Sequence, residues 1–216
     1  VVTYSLRIDR NPILDGEKVG VSTLLSAMLG NGTTTIPKDE FNEEVEFLGA
    51  SVSVTFSGGS ANTLTKNNSR VLELWSDAII NPLLTEEEFD KEKAKLLESL
   101  KADINNIDAI SSRVSSALSY GKNHPYGEFT TEQSIENVTF KDVIEYHEKY
   151  NIPNNAYIVV VGDVKAKELK AVLKEKFEPW KKGKLPVNPE PVYTENVGLT
   201  EINFIDVPSA TQSTVI

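Results

Sequence analysis

The stretch SVSVTFSGGSANTLT, Ser51 to Thr65, decides the architecture. Val52, Val54 and Phe56 alternate with Ser51, Ser53 and Thr55, the period of a half-buried strand, and Ser57-Gly58-Gly59 reads as a turn into a second strand through Thr65. Strands joined by so short a turn are antiparallel, whereas a parallel pair needs a long crossover. On the N-terminal side, Tyr4, Leu6 and Ile8 alternate with polar neighbours as another strand. Asn11-Pro12 and Asp15-Gly16 break that strand. Val21, Leu24, Leu25, Met28 and Leu29 then recur at helical spacing up to Gly30-Asn31-Gly32, and a second helix is expected from Lys38 to Leu48 with Gly49 as its stop.

Beyond the hairpin the pattern is mostly helical. Ser69 is expected to cap a helix carrying Val71, Leu72, Trp75, Ala78 and Ile79, which ends before Asn81-Pro82. Thr85 with Glu88 three residues later predicts a capping box for a long helix with Phe89, Leu96, Leu97 and Leu100 on one face. Further helices are expected around Ile110 to Leu118, closed by Gly121, and from Thr139 through His147. Ala156 to Val161 is a continuous apolar run, read as a central strand covered on both faces, and Leu169, Val172 and Leu173 give one more helix. The order β-α-α-β-β-α-α-α-α-β-α is neither doubly wound nor all-β. It predicts an α+β fold, helices stacked on a mostly antiparallel sheet. The expected organisation is a domain over 1–182, a Pro-rich linker over 183–200, and strand-like residues over 201–216 leading to a further domain.

Composition narrows the chemistry. The 216 residues suffice to bury about 70% of the unfolded surface in a core. A net charge of −10 lacks the basic footprint that nucleic acid requires, and no run approaches the roughly 18 apolar residues of a membrane span. The charge could steer basic peptides, although a solvated acidic surface is its commoner meaning. With Cys 0 and His 2, disulfides, thiolate nucleophiles and Cys-based zinc sites are excluded. His147 shares a stripe with Phe140, Val143 and Ile144, and His124 sits in the loop Asn123-His124-Pro125-Tyr126-Gly127. Both read as packed structural histidines, since no H-E-x-x-H or H-x-x-E-H motif exists. Gly58-Gly59-Ser60 lacks the surroundings of a nucleophilic serine. Gly30-Asn31-Gly32-Thr33 stands at a helix C-terminus, where the dipole repels phosphate. Glu86-Glu87-Glu88 suits the first turn of a helix better than a calcium loop.

Several segments, in order, resemble the pitrilysin/insulinase family of zinc peptidases, which includes the mitochondrial processing peptidase. GVSTLLSAMLGNGT, Gly20 to Thr33, looks like the family's first helix, where a glycine precedes H-x-x-E-H and the helix finishes Met-Leu-x-x-Gly-Thr. Phe41 to Ser53, Asn81-Pro82, His124 to Gly127, Ser134-Ile135 and Val159 to Val164 are similar to later family segments, so the likeness extends to Trp180. Setting Met28-Leu29 on the family's Met-Leu puts Thr23 at the first zinc histidine, Ser26 at the general-base glutamate and Ala27 at the second histidine. Glu92 fits the glutamate that precedes the third ligand, and Ser99 falls on that ligand; Glu98 is one residue, hence about 100°, away.

Hydroxyls and a methyl cannot replace two imidazoles and a carboxylate around zinc. The resemblance therefore implies a non-catalytic domain that binds no metal or cofactor itself. It implies an active H-x-x-E-H domain or subunit as partner, holding the zinc, with peptide enclosed in a clamshell chamber formed by both. A substrate-holding Arg-Tyr pair would lie past Ile216. The alternative is an assembly scaffold of the same fold with no part in proteolysis. A processed or trimmed chain whose parent continues past Ile216 is expected, and a bacterial periplasmic or envelope location follows from the resemblance alone.

Overall fold

The computed structural model describes residues 1–184, 198 and 202–207. Its strands are β1 (Val2–Ile8), β2 (Ser51–Thr55), β3 (Gly58–Thr63) and β4 (Ala156–Gly162). The helices are α1 (Val21–Met28), α2 (Lys38–Phe47), α3 (Asn68–Ile80), α4 (Glu86–Ala102), α5 (Ile107–Tyr120), α6 (Glu132–Asn137), α7 (Phe140–Tyr150) and α8 (Ala166–Phe177). All four strands form one antiparallel sheet in the order β2-β3-β1-β4. The α+β reading holds.

The chain divides into two units. The first comprises Val1–Arg10, Ser22–Glu92 and the stretch from Phe140 through α8. Its register sets Tyr4 opposite Ala61 and Val160, so Val2, Tyr4, Leu6 and Ile8 share the buried face of the sheet. Against that face lies α3, whose Val71, Leu72, Leu74, Trp75, Ala78 and Ile79 are all buried. Tyr4 and Trp75 meet at 5.6 Å between ring centroids, and the Tyr4 hydroxyl donates to Asn68 Oδ1 at 2.6 Å. Each fully buried Leu, Ile or Val here contributes about 2 kcal/mol relative to exposure, which is why the apolar stripes outweigh the polar hairpin composition.

The second unit includes Asn11–Val21 and Lys93–Thr139. Thr131 caps α6 in a reciprocal box with Ser134, whose Oγ also donates to the Val19 carbonyl at 2.9 Å. Gly20 adopts φ 106°, and a Cβ there would run into Ile135 and Thr130. The Glu128 carboxylate accepts from the backbone N–H groups of Asp15 and Gly16, both at 2.9 Å.

Four local readings are corrected, and one short helix is added. β4 is the edge of the sheet among the described strands, with Tyr157, Val159 and Val161 48%, 53% and 65% exposed. A continuous apolar run cannot reveal which of its faces is covered, since the outward residues are as β-branched as the inward ones. The hairpin turns at Phe56-Ser57, while Gly58 and Gly59 begin β3, where their missing side chains admit the backbones of β1 and β2. Ser69 lies inside α3, because a 3-10 turn over Thr65–Asn67 runs straight into the helix. The six-residue α6 carries too few turns for its period to be visible. Residues 202–207 form no strand, having no ladder partner among the described residues. The remainder of the expected strand over 201–216, and nearly all of the linker over 183–200, lie outside the described residues.

Candidate functional site

Helix α1 buries Val21, Leu24, Leu25 and Met28 and turns its other side outward. Thr23 and Ala27, four residues apart, stand on that exposed side. Two imidazoles at these positions could reach a common ion; a hydroxyl and a methyl cannot. Ser26 is half-buried between the two sides. Its Oγ donates to the Ser22 carbonyl at 2.8 Å and accepts from the Phe56 N–H at 3.1 Å. The position matched to the general base therefore joins α1 to the β2–β3 turn.

Phe56 is held further by Arg10, whose Nη2 donates to the Phe56 carbonyl at 2.6 Å while its Cζ lies 3.9 Å from the ring centroid. The ring also packs on Tyr146 and Tyr150 at 4.9 and 5.9 Å. Burial pulls the Arg10 pKa below the ordinary arginine value, and guanidinium Nε and Nη1 find no acceptor. Alternation in the hairpin pointed to Phe56 as an apolar strand residue; that its main chain would meet Ser26 has no sequence signal.

On α4, Glu92 is half-buried, whereas Glu98 and Ser99 are exposed. Near the start of that helix Glu88 accepts from Lys38 Nζ at 2.7 Å, and this holds its carboxyl below the usual range. Its backbone N–H donates to the Thr85 hydroxyl oxygen at 3.3 Å, one half of the expected capping box, while the Glu88 carboxylate turns to Lys38 and Lys91. Among the described residues, no three His, Asp or Glu side chains gather as a metal-holding group.

Both histidines are packed. His124 is 1% exposed, its Nδ1 accepts from the Tyr126 N–H at 3.0 Å, and Tyr120 stacks on it at 5.1 Å. His147 Nε2 lies 2.9 Å from Asn151 Nδ2, which also donates to the Ile79 carbonyl. Burial lowers the His147 pKa to about 4, so the imidazole is neutral and accepts from Asn151. No helix among the described residues is long and apolar enough to cross a membrane.

Residues 12–124 match the family model described as Insulinase (Peptidase family M16), and residues 137–215 match that of the Peptidase M16 inactive domain. Zinc protease PqqE of Helicobacter pylori is 28% identical over 76% of this chain and 38% of its own length. The uncharacterized zinc protease YmxG of Bacillus subtilis is 26% identical over 72% of this chain and 39% of its own length. The chain thus spans about two fifths of these relatives. A protease structure from Helicobacter pylori superposes with a TM-score of 0.74 at 22% identity, covering 90% of this chain and 49% of that one. A peptidase M16 inactive domain from Pseudomonas fluorescens gives 0.75 at 21% identity, with 88% and 48% covered. Those two likenesses speak for the fold. The insulinase-family match alone covers more than half of the sequence: the chain belongs to the insulinase family, peptidase family M16.

Proposed function

We propose that this chain is a non-catalytic domain of a zinc metallopeptidase assembly. It binds no catalytic zinc, hydrolyses nothing alone, and forms part of the wall of a peptide-degrading chamber with an active H-x-x-E-H domain or subunit. The observation that carries the reading is α1: its buried face is complete, while the outward positions are Thr23 and Ala27 and the base position, Ser26, is tied to Phe56. No group there can activate a water for attack on a peptide bond. The inactive-domain match over residues 137–215 supports the same conclusion. The test is zinc content and peptide cleavage of the purified chain, with the H-x-x-E-H half added in a second arm. Chelator-sensitive hydrolysis by the chain alone, or one tightly held zinc, would overturn the reading; association with the active half supports it.

A second reading, an assembly module with no part in proteolysis, draws support from β4. Tyr157, Val159 and Val161 line up on the outward side of an edge strand, a form that proteins normally cover. Under this reading the chain acts in a complex that contains no H-x-x-E-H protein, and isolation of the native complex separates the two.

A further inference from the structure

Beside the β2–β3 turn, at the end of β1, the first unit contains an open cavity of about 480 Å³ lined by Ser5, Arg7, Asp9, Arg10, Thr55 and Ser57 among others. In a chain of net charge −10 with four arginines, two of the four line this one cavity, against a single acid, Asp9. Arg7 is exposed, and its side chain has no hydrogen-bond or ion-pair partner among the described residues. Arg10 is fixed by the Phe56 carbonyl and ring, and two of its guanidinium nitrogens have no acceptor. Ser5 is exposed and adds a neutral donor, while the Thr55 hydroxyl is spent on the Gly58 carbonyl at 3.3 Å with Ser57 Oγ 3.4 Å from it.

We propose that this cavity binds a peptide carboxylate, with Arg7 as the cation that contacts it and Arg10 as a fixed second charge. A guanidinium presents paired N–H donors that match the two oxygens of a carboxylate. Arg7 needs no rearrangement to do so. Arg10 contributes field in place: its orphan donors have no accessible surface, and they reach the anion only if the head group turns off Phe56. A phosphate is the poorer fit, since the cavity offers no helix N-terminus or nest of backbone N–H groups. The carboxylate comes either from a peptide C-terminus or from an Asp or Glu side chain. The site does not depend on the chamber reading, because it requires only this chain; its failure would leave the pairing with an active half untouched.

The experiment is an amide chemical-shift titration of the chain with three probes: acetyl-tetra-alanine with a free C-terminus, the same peptide amidated, and an amidated peptide containing one glutamate. Saturable shifts at β1 and the hairpin turn with either acid probe, weakened by salt and absent with the neutral probe, are expected. Binding of the first acid probe alone assigns the C-terminus, and binding of the glutamate probe alone assigns the side chain. Arg7→Gln should reduce affinity on the order of tenfold. Arg10→Gln should do likewise where it folds, and Arg7→Gln, on an exposed position, decides the matter where it does not. Equal shifts with the neutral probe, no saturable shift with any probe, or an unchanged affinity in Arg7→Gln would overturn the proposal.

Discussion

Ser26 Oγ accepts the Phe56 backbone N–H at 3.1 Å while donating to the Ser22 carbonyl one turn earlier on α1. A hydroxyl can do both because it carries one proton and two lone pairs; a carboxylate at this site could accept but not donate. Ser26, which the resemblance sets at the general-base position, is here a half-buried tie between a helix and a hairpin. Ser26→Ala leaves the half-buried Phe56 N–H without its acceptor, and should lower unfolding free energy by about 1 kcal/mol. Chemical denaturation measures it, and an unchanged midpoint would show that water serves the N–H equally well.

The outward face of α1 can be probed by restoring what it lacks. Thr23→His with Ala27→His places two imidazoles one helical turn apart on exposed positions, enough for a weak two-ligand site. Added Zn²⁺ should then raise the thermal midpoint of the double variant and leave the parent chain unmoved, since only an ion that binds the native state stabilises it. No peptidase activity should appear, because Ser26 beside the new imidazoles is no general base. A comparable zinc-dependent rise in the parent would contradict the vacant-ligand reading of this helix.

How much of this was legible depended on whether a residue's role is written in its neighbours along the chain. Alternation gave β1 and the hairpin, and the stripe Val71, Leu72, Trp75, Ala78, Ile79 gave α3 and most of the core. The positions Thr23, Ser26 and Ala27 followed from registering Met28-Leu29 on a known pattern, and the structure puts them on one helix with the two ligand positions outward. Tertiary facts left no such trace. Nothing local says that β4 lies at an edge, that Phe56 N–H meets Ser26, or that Arg7 and Arg10 line one cavity. Gly58 and Gly59 were legible as special but not for the right reason, because a turn and a close backbone approach ask for the same residue.

That distinction is testable at Gly59. A Cβ added there would overlap the Ser53 carbonyl oxygen and press within 3.2 Å of Val54 Cα and 3.3 Å of Trp75 Nε1. Both obstacles from β2 are backbone, so neither can rotate away. Gly59→Ala should destabilise the chain by roughly 1–3 kcal/mol through overpacking of the β2–β3 ladder. Gly59 does not adopt a positive φ, so without that crowding alanine would be nearly neutral. Calorimetric midpoints of the two proteins separate the cases.

Exposure at β4 predicts the opposite sensitivity. Val159 points away from the buried face and is 53% exposed, so Val159→Lys gives up little buried area and should change stability by less than about 0.5 kcal/mol. A charge there should nonetheless raise solubility by guarding the edge. Light scattering at matched concentrations reads the second effect, and a large loss of stability would mean that the strand is covered after all.

Acid sensitivity of the first unit is expected from His147. Burial lowers its folded-state pKa to about 4, against about 6.5 for an unperturbed histidine. Between these values the unfolded chain binds a proton that the native chain refuses, so unfolding free energy rises with pH across the window and is lost as pH falls through it. The full effect amounts to roughly 3 kcal/mol, reached by pH 4. The hydrogen bond agrees with the sign: Nε2 accepts from Asn151 Nδ2, and a protonated ring would set donor against donor at 2.9 Å. Glu44 and Glu88 act mainly below this range. Arg70 and Lys38 hold their pKa values below the ordinary carboxylate, so their contributions persist above that value and fade only as pH drops through the lowered ones. Denaturant midpoints taken from pH 7 to 4 should therefore fall in the parent and stay flatter in His147→Gln, whose amide oxygen can still accept from Asn151. Parallel pH profiles for the two proteins would assign the acid sensitivity to other groups.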